Sequence, residues 1–219
     1  MMDYPQFKLY NTYKKEKEIF VSEHKGLVNM YVCGLTVYEQ THIGHAHMYT
    51  IVDFLSRFLT YTDYEVKQVR NYTDVGHLVS DADEGEDKME KGARKSGVDP
   101  WQLADQMIGV AEEFFHELGV IEPTFKPRAT ENVDVMIEMI EDLIKKGYAY
   151  VTKEAIYFDV RKFPDYELYT GQKFDEKLTA ARGDVQTGSQ KKFPADFSLW
   201  FFTVGRFENH IMKWDSPWG

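Results

Sequence analysis

Two histidines three residues apart, His42 and His45 in the run His42-Ile43-Gly44-His45, carry the clearest chemistry in the chain. Imidazoles at that spacing share one helical face, and a helix N-terminus presents unpaired N–H groups and the positive end of its dipole. Together they could hold an anion such as a nucleotide phosphate, with Gly44 letting a base or ribose approach the backbone. Taken alone, the pair also reads as surface histidines at a helix start. Adding His47 makes no zinc site, because it falls on a different face from His42. Cys33 is the single cysteine and has three readings: small core filling, a nucleophile paired with a histidine, or a thiolate ligand to zinc that needs three more groups. Thr73-Asp74 pairs a hydroxyl with a carboxylate, suited to a bound ammonium or ribose, or simply to a turn.

The elements that must position these residues follow from periodicity. Leu27 to Gly34 is a short apolar run closed by glycine, which predicts a buried strand ending in a turn. A helix is predicted from about Ile43, with Ile51, Phe54, Leu55, Phe58 and Leu59 facing the core and Asp53 and Arg57 pointing outward. A second strand, Tyr64 to Arg70, completes a βαβ unit of a parallel sheet with a right-handed crossover. Cys33 and Thr73 then lie at the carboxyl edge, where open parallel sheets bind ligands. Further on, Trp101, Leu103, Met107, Val110, Phe114 and Leu118 predict a helix from about Pro100 to Gly119. Val133 to Ile144 predicts another, with Thr130 as its N-cap and a stop at Lys145-Lys146-Gly147. Tyr148–Val151 and Ile156–Val160 read as a hairpin, and Leu199–Val204 as one more strand. A domain boundary is expected near residues 120–127, where Pro123 and Pro127 punctuate the chain.

Composition narrows the classes. The 219 residues include 26 Lys and Arg against 36 Asp and Glu, a net charge of −10, with 43% hydrophobic and 15% aromatic residues. A sizeable core is therefore available, and disorder is excluded. No stretch approaches the roughly 18 apolar residues of a membrane span, and Met1 to Lys8 lacks the pattern of a secretory signal, so a cytoplasmic protein is expected. One cysteine excludes an internal disulfide and any cysteine-only metal site. The acidic balance argues against nonspecific coating of nucleic acid, though not against a shaped RNA site. Neither a P-loop nor a G-x-G-x-x-G fingerprint occurs. The run from Asp81 fails as a calcium loop, because Glu86 replaces the required Gly and Gly92 the terminal Glu; a solvated acidic loop from Asp81 to Lys91 is expected instead.

Tyr31-Val32-Cys33-Gly34-Leu35-Thr36-Val37-Tyr38 running into His42-Ile43-Gly44-His45, then Val69-Arg70-Asn71-Tyr72-Thr73-Asp74, closely resembles the cysteinyl-tRNA synthetases. The likeness continues through Pro127-Arg128-Ala129-Thr130-Glu131, Lys146-Gly147-Tyr148-Ala149-Tyr150, Tyr157-Phe158-Asp159-Val160 and Trp214-Asp215-Ser216-Pro217-Trp218-Gly219, in the family's order. The resemblance implies an α/β fold, the N-terminal half of a Rossmann-type class I synthetase catalytic domain with an α+β connective-peptide insertion. Residues 1–122 would be the first part of the nucleotide-binding domain, 123–204 the insertion and 205–219 the re-entry toward the rest of that domain.

The implied activity is ATP-dependent formation of cysteinyl-adenylate and transfer to tRNA-Cys, with Mg2+ accompanying ATP. On this view His42 and His45 are catalytic, and Leu35, Thr36, His42, Gly44 and His45 bind ATP. Cys33, Gly34 and Thr73 bind the substrate cysteine, Cys33 as first ligand of a zinc ion that takes the substrate thiolate, which removes the nucleophile role for Cys33. The partners implied are ATP, L-cysteine and tRNA-Cys, with no membrane and no DNA. Departures from the family pattern are Leu35, where proline is common, and Phe201, where lysine usually follows Leu-Trp. The other zinc ligands, the second ATP-binding motif and the anticodon-binding helices have no counterpart here, so the chain is expected to be an N-terminal portion, incomplete and inactive alone. A cysteine:amino-sugar ligase of the mycothiol type shares the early motifs, and a synthetase-like binding protein without catalysis is a third reading.

Overall fold

The computed structural model describes residues 6–76, 87–171 and 190–219. In chain order the elements are β1 (Lys8–Asn11), β2 (Glu16–Ile19), β3 (Leu27–Thr36), α1 (Ile43–Tyr61), β4 (Glu65–Thr73), α2 (Lys88–Ser96), α3 (Pro100–Glu117), α4 (Val133–Lys145), β5 (Ala149–Val151), β6 (Ala155–Phe158), α5 (Tyr166–Thr170) and β7 (Phe197–Phe201). They group into two compact units, one of residues 6–9, 19–76 and 87–132, the other of 10–18, 133–171 and 190–219.

In the first unit β3 and β4 run parallel, from Leu27 opposite Glu65 to Thr36 opposite Thr73, with α1 as the crossover. The chain is thus α/β, with the βαβ unit expected from periodicity. Both strands extend further than the apolar runs do, because Thr36 and Thr73 keep the ladder going beyond the last hydrophobic residue. On its other side β4 is joined by residues 125–128: Phe125 N–H donates to Gln68 O (3.0 Å), Arg70 N–H to Phe125 O (3.0 Å) and Tyr72 N–H to Pro127 O (2.9 Å).

The fully buried stripe of α1 meets the expected one only at Leu59. Ala46, Tyr49, Ser56 and Leu59 face the core, while Ile51 and Phe54 are 56% and 73% exposed and Leu55 and Phe58 half-buried. In α3, likewise, Leu103, Ala104, Ile108, Ala111 and Phe115 are buried, while Trp101 and Leu118 are exposed. Small residues let a helix backbone approach its neighbours, yet they barely register in a hydrophobic pattern; large apolar residues mark the wrong face. Asp53 and Arg57 do lie outside the core but are engaged. They pair at 2.7 Å, Asp53 accepts from Ile121 N–H (2.8 Å) and Arg57 donates to Gly119 O (2.8 Å), tying α1 to the loop after α3.

Arg70 is 1% exposed, its guanidinium 3.9 Å from the Phe115 ring centroid and 5.6 Å from that of Tyr49. Its Nη2 sits 3.5 Å from Glu112, which also accepts from Tyr72 Oη and, at 3.1 Å, from Lys126. Burial opposes charge on Glu112, but the hydrogen bonds from Tyr72 and Lys126 and the nearby cations outweigh it and lower its pKa.

Helix α2 has no apolar run to announce it, since only Met89 and Ala93 are buried on it. Its ends are made locally: Asp87 accepts from Met89 N–H (2.7 Å) and Glu90 N–H (3.1 Å), and Gly97 closes it in the left-handed region at φ 70°. Asp87 is buried and Lys88 to Lys91 are helical, so the expected solvated loop does not extend that far; its part at 81–86 lies outside the described residues. Thr130 does not cap α4, which is entered through a 3₁₀ turn at Ala129–Asn132.

In the second unit β5, β6 and β7 form an antiparallel sheet covered by α4, with Ile140, Ala149, Ile156 and Phe202 at the centre of its core. The expected hairpin is β5–β6, and the last expected strand starts earlier, at Phe197. Buried Asp196 accepts from Tyr150 Oη (2.7 Å), Phe193 N–H (3.1 Å) and Val160 N–H (3.1 Å). Trp218 packs against Trp200 at 6.2 Å, and Gly219 N–H reaches back to Ser216 O (3.2 Å) in a turn.

Asp87→Ala should leave two N–H groups of α2 unsatisfied and lower stability by about 1–2 kcal/mol, measured by urea unfolding of the longest protein the gene encodes. An unchanged midpoint would show that α2 needs no cap.

Candidate active site

The parallel ladder is regular from Leu27 opposite Glu65 to Val32 opposite Arg70, then resumes with Leu35 opposite Tyr72. Three steps on β3 match two on β4, which makes a β-bulge at Cys33-Gly34. Its consequence is a change of side-chain phase: Val28 and Val32 are buried before it, Leu35 and Val37 after it. Cys33 keeps the outward phase of Asn29 and Tyr31 and is exposed, which rules out core filling.

One peptide unit makes this turn, and both its polar groups are met by side chains. The Cys33 carbonyl accepts from Tyr49 Oη on α1 (2.8 Å), and the Gly34 N–H donates to Asn71 Oδ1 on β4 (2.8 Å). Asn71 Nδ2 then donates to Thr73 Oγ1 (3.2 Å). Only glycine fits at 34, since a Cβ there would lie 1.3 Å from the Asn71 carbonyl oxygen. Burial pushes the Tyr49 hydroxyl up to about 12, so it keeps its proton.

His42 is the N-cap of α1, with extended backbone (φ −138°, ψ 174°). Its Nδ1 accepts from Gly44 N–H (3.1 Å), and His45 Nδ1 accepts from His42 N–H (3.2 Å), a reciprocal cap built from two imidazoles. The rings stack with centroids 3.8 Å apart. Because each Nδ1 accepts, hydrogen bonding assigns the proton of each neutral ring to Nε2, which becomes the donor. A Cβ at residue 44 would come 2.9 Å from the His42 ring, so this glycine makes room for the capping imidazole itself. Burial, followed by the charge of His42, lowers the pKa of His45.

Cys33, Gly34, Leu35, Thr36, His42, Gly44, His45 and Thr73 all lie in the first unit, at the carboxyl end of β3 and β4 or the start of α1. Leu35 is buried, so only its backbone is available to a ligand, while Thr36 and Thr73 are half-buried. Asp74 is not available: it is buried and accepts from Thr130 N–H (3.0 Å) and Thr130 Oγ1 (2.7 Å). His47 is exposed and forms no part of the cap. Tyr49 and Asn71 were not singled out by sequence reasoning. The available signals were a tyrosine four residues after His45 and an amide two residues before Thr73. Among the described residues no group of three His, Cys, Asp or Glu could hold a metal ion. Cys33 has the soft, accessible sulfur that zinc prefers, and so fits one position of such a site.

Residues 19–219 match the family described as tRNA synthetases class I (C) catalytic domain. The chain belongs to this family. Among curated relatives it is 41% identical over 214 residues to the cysteine--tRNA ligase of Deinococcus radiodurans, covering 98% of this chain and 42% of that protein. It is 41% identical to that of Phocaeicola vulgatus, covering 96% and 42%, and 39% identical to that of Thermus thermophilus, covering 96% and 43%. This class I synthetase chain thus spans less than half the length of the relatives it matches. A weaker structural likeness, TM-score 0.46 at 21% identity over 61% of this chain and 16% of the other, is to the Agrobacterium radiobacter LeuRS solved with tRNA and LeuAMS. No helix among the described residues is long and apolar enough to cross a membrane.

The histidine cap makes stability depend on pH in a definite direction. His45 titrates below 6.5 in the folded state, so the unfolded chain binds the more protons between the two values. Its contribution to stability is complete above pH 6.5 and lost as pH falls toward the folded pKa. An NMR titration should place the His45 midpoint below 6.5; a midpoint at or above it contradicts the partial burial of this imidazole in the cap.

Proposed function

We propose that the chain is the amino-terminal part of a cysteine-tRNA ligase, which activates cysteine with ATP and transfers it to tRNA-Cys. The observation that supports this most directly is the convergence, at one sheet edge, of an exposed thiol on a bulge and a helix N-terminus built from two histidines. The thiol and the phosphate of cysteinyl-adenylate call for these two kinds of group.

In the first step a carboxylate oxygen of cysteine attacks the α-phosphorus of ATP, and the bond to pyrophosphate breaks. Little covalent help is needed; positioning and charge stabilisation suffice. His42 and His45 would donate from Nε2 to the phosphate oxygens on which negative charge grows, alongside the N-terminal dipole of α1. Gly44 and the backbone of Leu35 and Thr36 would border the nucleotide, with Mg2+ offsetting phosphate charge. The substrate cysteine would lie against Cys33, Gly34 and Thr73.

Cys33 would ligate zinc, the remaining ligands lying outside the described residues; bound there, zinc prefers a thiolate to a hydroxyl and so separates cysteine from serine. The connective-peptide role falls to the segment from about 123 to 204. Such an enzyme works in the cytoplasm, without membrane or DNA.

The longest protein the gene encodes should catalyse cysteine-dependent ATP–pyrophosphate exchange and charge tRNA-Cys rather than an amino sugar. His45→Ala should slow exchange on the order of 10²–10³-fold, as expected for removal of a preorganised donor. Exchange that survives this change undiminished, or that depends on another amino acid, overturns the reading.

A further inference from the structure

The bulge at Cys33-Gly34 is unusual because its polar groups are satisfied by two different elements at once. The two groups point to opposite sides of β3, only one of which faces the β4 backbone; here the Cys33 C=O accepts from the Tyr49 hydroxyl and the Gly34 N–H donates to the Asn71 side chain, each at 2.8 Å. These two groups belong to the same peptide bond. Fixing both ends of one peptide plane fixes the direction in which the Cys33 side chain leaves the strand.

We propose that Tyr49 and Asn71 are positioning residues that aim the Cys33 sulfur at its ligand and tie that aim to the nucleotide end of the site. The inference rests on the reading of Cys33 as a zinc ligand that takes the substrate thiol. Tyr49 sits on α1, the helix whose first turn is capped by His42 and His45, so its hydrogen bond sets the Cys33 backbone relative to the phosphate-binding end. Its ring is packed in a T-shaped pair with Phe115 (centroids 4.7 Å apart) and against Arg70, which holds the hydroxyl toward the Cys33 carbonyl. Asn71 has a double role. Its Oδ1 holds the bulge and its Nδ2 orients Thr73 Oγ1, so one amide links the group that would hold the substrate sulfur to the hydroxyl beside it. Neither residue touches the reacting atoms; each acts through Cys33 or Thr73.

The test uses the longest protein the gene encodes, with zinc affinity measured by competition against a chromophoric chelator and KM measured separately for cysteine and ATP. Tyr49→Phe removes one hydroxyl and keeps the ring packed. Tyr49→Phe and Asn71→Ala should each weaken zinc binding about 10–100-fold and raise KM for cysteine, with KM for ATP essentially unchanged. Asn71→Asp, which keeps an acceptor for Gly34 N–H, should recover most of the zinc affinity. Added to Cys33→Ser, Tyr49→Phe should cause no further loss. If Cys33→Ser lowers zinc affinity while Tyr49→Phe and Asn71→Ala leave it unchanged, the positioning role is wrong and the zinc reading stands. If Cys33→Ser itself leaves zinc binding intact, the zinc reading fails and the proposal falls with it. Should Asn71→Ala fail to fold, Tyr49→Phe alone decides.

Discussion

A single peptide bond, between Cys33 and Gly34, is the constraint on which the site depends. A buried backbone N–H or C=O that leaves its ladder must find another partner or lower stability by about 1–3 kcal/mol. Here the partners are Tyr49 and Asn71, and the geometry they impose reverses which side chains of β3 face the core. Glycine at 34 is required because the Asn71 carbonyl occupies the space of a side chain. From this one departure follow the burial of Leu35 and the link between the strand end and α1.

The start of α1 is organised on a related principle, with side chains replacing missing backbone partners. A helix start leaves N–H groups unpaired, and the two imidazoles take up those of His42 and Gly44 through their Nδ1 atoms. Doing so fixes their tautomers and leaves Nε2–H as the donating end. Neutral rings at the positive end of a dipole attract an anion without a permanent cation to retain it. That balance would suit the proposed binding of ATP and release of pyrophosphate. Behind Tyr49 lies buried Arg70, its guanidinium over the rings of Phe115 and Tyr49 and 3.5 Å from Glu112.

The βαβ unit, the helix start at Ile43 and the placement of Cys33 and Thr73 at the carboxyl edge were all legible, because they follow from strand and helix periodicity and from glycine closing an apolar run. The order of motifs made the family legible as well. What escaped was whatever depends on tertiary partners. Periodicity could not choose between the two apolar sides of α1, since Ala46 and Ser56 weigh little beside Ile51 and Phe54. Nor could it reveal that Asp74 is consumed by Thr130, or that Asp87 is a buried cap rather than a solvated acid, because only the fold brings those donors within reach. The bulge was invisible for the same reason: nothing local in Tyr31 to Thr36 says that β4 will offer Asn71 at that register.

The central claim is that the bulge and the histidine cap address the thiol and the phosphate of one bound intermediate. A crystal structure of the longest protein the gene encodes, bound to a sulfamoyl analogue of cysteinyl-adenylate, tests it most directly. The account predicts the sulfamoyl oxygens within about 3 Å of Nε2 of His42 or His45 and the analogue's thiol end against Cys33 and Thr73. An analogue bound with its sulfamoyl group away from the start of α1, or its thiol away from Cys33, would contradict it.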